Sequence, residues 1–123
     1  MDWKIELIFV PVTDVDRAKE FYVNIGFNPD FDQRVMEGLR FVQLTPPGSA
    51  CSIAIGEGLG SGVEPGTLDV IQVVIPDADQ ALADLVAKGV DAEGVDEQAW
   101  GRFVTFRDPD GNRWTLQELP PRD

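Results

Sequence analysis

The sequence predicts an α+β fold of two tandem βαβββ modules forming a curved mixed sheet, and three observations carry the prediction. First, Val12–Phe27 laid over Ile75–Val90, an offset of 63 residues, shares five of sixteen positions: Asp14/Asp77, Asp16/Asp79, Ala18/Ala81, Val23/Val86 and Gly26/Gly89. Internal duplication accounts for this better than chance. Second, each copy reads as a strand, a helix and then further short strands. Third, Glu57–Gly66 holds four glycines and one proline, the composition of a flexible connection between copies. The 123 residues thus divide, within a single domain, into module one (about 3–57), a linker (58–66) and module two (about 67–119).

Each element has a local reason. Trp3–Val12 is a β-rich apolar run, and Thr13 and Asp14 then offer oxygens to cap a helix. That helix places Val15, Ala18, Tyr22 and Ile25 on one face, and Gly26 stops it. Strands follow at about 27–34, 38–45 and 50–56, with Pro46-Pro47-Gly48 as a turn. The second copy opens with strand Leu68–Ile75 and enters its helix at Pro76-Asp77. It buries Ala78, Ala81, Leu82 and Leu85 and stops at Gly89. Strands then fall at about 91–96, 102–107 and 112–118, the last two joined by Asp108-Pro109-Asp110-Gly111-Asn112, rich in turn formers.

Composition excludes several functions. Lys plus Arg is 10 against 22 for Asp plus Glu, a net charge of −12, which disfavours nucleic acid and anionic membrane surfaces. Such acidity either serves solubility alone or draws in a cationic ligand. No apolar run is long enough to span a membrane and the N-terminus lacks a signal-peptide layout, so a cytoplasmic protein is expected. The single cysteine, Cys51, forms no intrachain disulfide, and its strand-like setting reads as an inert thiol. There is no histidine, which removes histidine-based nucleophile arrangements.

Asp14-Val15-Asp16-Arg17-Ala18-Lys19-Glu20-Phe21-Tyr22 and Phe106-Arg107-Asp108-Pro109-Asp110-Gly111-Asn112, in this order within the repeat, resemble the vicinal oxygen chelate superfamily. That superfamily includes glyoxalase I, extradiol dioxygenases, fosfomycin-resistance enzymes and bleomycin-resistance proteins. The resemblance implies a cup formed by the two modules, with metal ligands on the first and last strand of each copy, His or Gln on the former and Glu or His on the latter. Counting from the motifs puts those positions at Leu7, Val70, Thr115 and Ser52 (or Ile53). None suits a divalent ion, so no metal, no other cofactor and no catalytic residue is expected. Glu6 and Glu118, the nearest carboxylates, have the opposite strand parity.

What remains is a pocket. By alternation Ile5, Phe9, Gln72 and Gln117 share the cup face with Leu7, Val70 and Thr115, while Ile8, Val10, Ile71, Val73, Trp114 and Leu116 pack beneath the helices. The two glutamines either contact a ligand or satisfy one another. Phe9 and Phe41 either stack on a planar ligand or belong to the core. Trp100-Gly101-Arg102, with Glu97 before it, is similar to bleomycin-resistance proteins, which implies Trp100 as a stacking residue and Glu97 as part of the acidic wall of a dimer groove. Alternatively Trp100 only shapes the strand entry. Gln43-Leu44-Thr45-Pro46-Pro47-Gly48-Ser49 instead resembles glyoxalase-like members. The candidate ligand-binding set is therefore Leu7, Phe9, Phe41, Gln43, Ser52, Val70, Gln72, Trp100, Arg102, Thr115 and Gln117. The expected protein is a homodimer that holds a small molecule, such as a cationic or aromatic antibiotic. The alternative is a glyoxalase-like lyase or isomerase acting without the metal.

Overall fold

The computed structural model describes residues 1–60 and 62–121. Module one runs β1 (Leu7–Phe9), α1 (Val15–Asn24), β2 (Asn28–Met36), β3 (Leu39–Thr45) and β4 (Ser52–Glu57). Module two repeats it with β5 (Ile71–Val74), α2 (Ala78–Ala87), β6 (Ala92–Gln98), β7 (Gly101–Arg107) and β8 (Arg113–Glu118). Each module makes a four-stranded mixed sheet, ordered β1-β4-β3-β2 and β5-β8-β7-β6, with the first strand parallel to the last. The two βαβββ units and the α+β class match the sequence reading. Among the described residues no helix is long and apolar enough to cross a membrane.

Asp14 and Asp77 cap the helices as expected, accepting from the backbone N–H of Arg17 and Gln80. Val15, Ala18 and Tyr22 face the core from α1, and Ala78 and Leu85 from α2. Strand one proves shorter than Trp3–Val12. Its partner β4 begins at Ser52, whose N–H donates to the Glu6 carbonyl and opens the ladder there, and Pro11 has no N–H to continue it. Strand five likewise spans Ile71–Val74 rather than Leu68–Ile75, which leaves Val70 ahead of it and 80% exposed. Cys51 falls in the turn before β4 rather than within a strand.

The repeat drifts along the chain. The helix-entry aspartates are 63 residues apart, but Val42 on β3 matches Val104 on β7, and Ile55 on β4 matches Leu116 on β8, so the offset falls to 62 and then 61. Two register irregularities interrupt β2 where β6 has one, and six residues join β3 to β4 where five join β7 to β8. The first-copy partner of Thr115 is consequently Ala54, not Ser52 or Ile53.

The core is shared between the modules. Trp114 from β8 stacks on Phe106 with ring centroids 5.7 Å apart and meets Tyr22 and Phe27 of module one at 5.7 and 5.5 Å. The turn at Asp108–Asn112 is a buried polar junction. The Tyr22 hydroxyl donates to Asp108 Oδ2 at 2.7 Å and accepts from Trp114 Nε1 at 3.0 Å. Asn112, fully buried, donates to the Pro11 carbonyl at 2.7 Å and accepts from the backbone N–H of Gly66 and Leu68. One side chain thus ties module one, the linker and module two together.

Each module also carries an arginine clamp. Arg40, at the start of β3, grips Asp32 with two hydrogen bonds of 3.0 and 2.8 Å and reaches Asp16 in the first turn of α1. Arg102, at the start of β7, holds Asp79 of α2 and Glu97 in the same way. Arg40 and Lys19 hold the Asp32 carboxyl well below the ordinary carboxylate range. The native chain therefore binds fewer protons here than the unfolded chain. The stabilisation is complete above about pH 4, the ordinary aspartate range, and is lost as pH falls through the depressed folded value. Urea midpoints measured down an acid series should fall less steeply in Arg40→Met than in wild type.

Candidate functional site

The cup face of module one is built on β4 and its neighbours. Leu7 lies beside Ser52 and Phe9 beside Ala54, while Gln43 of β3 stands opposite Ala54. Phe41 sits two residues along from Gln43 and packs edge-on to Phe31 of β2, with ring centroids 6.0 Å apart. Ser52 is the buried polar group of this face, 6% exposed. It accepts a hydrogen bond from Gln43 Nε2 at 3.2 Å and lies 2.7 Å from the Thr45 hydroxyl, which in turn donates to Asp30. The linker is not a free tether. Leu59 lies so close to the strand that any side chain at Gly56 would meet it and the Arg40 carbonyl. With Val63 it borders a small cleft over Phe9 and Ala54.

The face of module two pairs Gln72 with Thr115 and Val74 with Gln117. Gln72 Nε2 donates to Gln117 Oε1 at 2.8 Å, and Gln117 Nε2 donates to the Trp100 carbonyl at 2.9 Å. The glutamines thus satisfy one another and a strand-end carbonyl. Gln72 is exposed and its own amide oxygen has no hydrogen bond among the described residues. The Trp100 ring is 62% exposed at the β6–β7 turn. Arg102 and Glu97 bond each other, and Arg102 also reaches Asp79 and Glu118, so its charge is committed toward α2.

Ser52 and Gln72 meet at a cleft of about 320 Å³ between the free edges of β1 and β5, floored by Ile8, Ile53 and Trp114 and walled by the Pro46–Ser49 turn. This is the lower end of small-molecule pocket sizes. Behind Pro46 and Pro47 a second, more apolar cleft of about 290 Å³ reaches Phe27, Leu85 and Phe106, with Trp114 lining both. Of the predicted residues, the structure gathers Leu7, Ser52, Gln43 and Phe9 on one face and Gln72, Thr115 and Gln117 on the other. Of the predicted set only Ser52 and Gln72 line the cleft itself, and Val70, Trp100 and Arg102 belong to neither face. Thr45 and Asp30 escaped the sequence reading. Thr45 shares the strand parity of Gln43 and was open to inference, but Asp30 sits at a β2 register irregularity, where alternation fails.

The family's metal does not fit these side chains. Leu7, Val70 and Ala54 carry no donor atom on their side chains, Thr115 offers one hydroxyl, and of their neighbours Phe9 adds none and Gln72 a single neutral amide. Among the described residues no group of three or more His, Cys, Asp or Glu is placed to hold an ion. Tyr22 is no ready acid or base either, because burial and then the neighbouring Asp108 raise its phenol far above its ordinary range.

A search of curated proteins returns no significant match. Among solved structures, TnmS3, an antibiotic binding protein from Streptomyces sp. CB03234, is 33% identical, with 97% of this chain and 98% of that chain aligned and a TM-score of 0.87. A glyoxalase/bleomycin resistance protein from the same organism is 34% identical over 94% and 100% of the two chains, with a TM-score of 0.81. A superfamily member from Sphaerobacter thermophilus DSM 20745 is 32% identical over 95% and 98%, with a TM-score of 0.84. The family model for the Glyoxalase/Bleomycin resistance protein/Dioxygenase superfamily matches residues 4–116, so with its paired βαβββ modules this chain belongs to that superfamily.

Proposed function

We propose that the chain is a metal-free, cytoplasmic binding protein that sequesters a small planar aromatic molecule, cationic in charge, without transforming it. The observation that carries this reading is the chemistry of the cup faces. Where a metalloenzyme needs imidazole or carboxylate, these present Leu7, Phe9, Phe41, Thr115 and neutral glutamines. The net charge of −12 supports attraction of a cation. Similarity to an antibiotic binding protein supports a ligand of antibiotic type.

A homodimer is part of the proposal. β1 and β5 are both unpaired sheet edges, and Ile5, Val70 and Val74 beside them are 72%, 80% and 60% exposed. Association of two copies would cover these groups and deepen the cleft.

The test is a thermal-shift series with proflavine, a planar aminoacridine cation, beside zinc, nickel and manganese ions. Proflavine at a hundredfold excess over its Kd should stabilise the fold by about 2.7 kcal/mol. Micromolar metal raising the Tm while proflavine leaves it unchanged would overturn the reading.

A further inference from the structure

Both cup faces carry a relay of hydrogen bonds that starts on a group able only to accept. In module one the start is the Asp30 carboxylate. Thr45 must give its single proton to Asp30, so its oxygen accepts from Ser52, 2.7 Å away. Ser52, its proton now spent on Thr45, accepts in turn from Gln43 at 3.2 Å. Turning the Gln43 amide over would draw the Ser52 proton to Oε1 and leave two hydroxyl oxygens in contact with no proton between them. The amide orientation is therefore forced, with Nε2 on Ser52 and Oε1 turned away from it, lacking a hydrogen bond among the described residues.

Module two reaches the same end from another start. The Trp100 carbonyl only accepts, so Gln117 must turn Nε2 to it and Oε1 toward Gln72. Gln72 must then donate to Gln117, which leaves its own Oε1 facing outward. Ser52 and Gln72 line the same cleft, so both relays reach it, the first at the Ser52 oxygen and the second at the Gln72 amide.

We propose that Asp30 and the Trp100 carbonyl set the hydrogen-bond polarity of the cleft, making Ser52 and Gln72 its specificity-determining residues. Ser52, its proton held by Thr45, and Gln72, through its amide oxygen, each present an acceptor, which selects ligands bearing hydrogen-bond donors on their rim: hydroxyl, amide N–H or ammonium. Asp30 and Thr45 are positioning residues that act through Ser52. The inference rests on the aromatic-ligand reading above and adds the polarity of its polar contacts.

Isothermal titration with 2-naphthol and quinoline tests it, since the two bicyclic probes match in size but one donates and the other only accepts. Wild type should prefer 2-naphthol by about tenfold, the scale of one well-made hydrogen bond. Asp30→Asn, at an exposed position, introduces an amide that can donate to Thr45 and reverse the relay, so the preference should fall to about twofold. Gln72→Leu should lower it independently. A merely structural role would weaken both probes alike and leave their ratio unchanged. Equal binding of the probes by wild type, or a full preference retained in Asp30→Asn, would overturn the polarity assignment and leave the aromatic-ligand reading standing. Binding of neither probe would overturn both.

Discussion

In an Asn112→Ala variant the unfolding free energy is expected to fall by about 3–5 kcal/mol, roughly a third of what a domain of this size possesses. The substitution leaves the Pro11 carbonyl and the N–H groups of Gly66 and Leu68 without their shared partner in a fully buried site. Each such loss costs on the order of 1–3 kcal/mol, and water entering beside the linker offsets part of it. Urea denaturation should show a lower midpoint with an unchanged slope. A change below about 1 kcal/mol would mean that the junction is not what holds the modules together. Tyr22→Phe acts on the same network through Asp108, so the double variant should lose less than the sum of the two single ones.

Trp114→Ala should cost a similar amount, about 3–5 kcal/mol, for a different reason. The indole is essentially buried and touches Tyr22, Phe27 and Phe106, so its removal opens a cavity among aromatic rings and strips the Tyr22 hydroxyl of its donor. The cavity would also join the two clefts that Trp114 now divides. Trp3 and Trp100 are exposed, so blue-shifted emission in the native state is expected from Trp114 and should vanish with it. Trp114→Phe, which keeps ring packing and loses the Nε1–H, should recover more than half of the stability.

The fold was legible because duplication writes the same instructions twice. Asp14 and Asp77 cap, Gly26 and Gly89 stop, and Val15, Ala18 and Tyr22 repeat the inward face that Ala78, Ala81 and Leu85 show in the second copy. Alternation also placed Ile71, Trp114 and Leu116 inward correctly. Alternation misleads where register slips. Offsets counted from the helices carried Thr115 to Ser52, because an added irregularity in β2 and a longer β3–β4 turn are invisible as periodicity. The same slip hid Asp30. Arg102 enters the ligand-binding set because it closes the Trp-Gly-Arg step that resembles a binding motif, whereas the structure spends its charge on Asp79, Glu97 and Glu118. The Asp108–Asn112 turn stands where the sequence puts it, between β7 and β8. Turn-forming residues explain its shape, but only the folded chain reveals that Asn112 reaches Pro11, 101 positions away.

The acidic surface bears on more than ligand attraction. Two copies of a chain with charge −12 repel at distances of roughly a Debye length, about 8 Å at physiological salt, whichever faces they present. Only a contact that removes enough apolar surface from water can outlast that repulsion. Around β1 and β5 the exposed Ile5, Val70 and Val74 supply such surface beside open backbone edges, which elsewhere invite indiscriminate strand pairing. In the proposed homodimer like charge would act as a filter on encounters, dispersing glancing collisions and sparing the one that seats these edges.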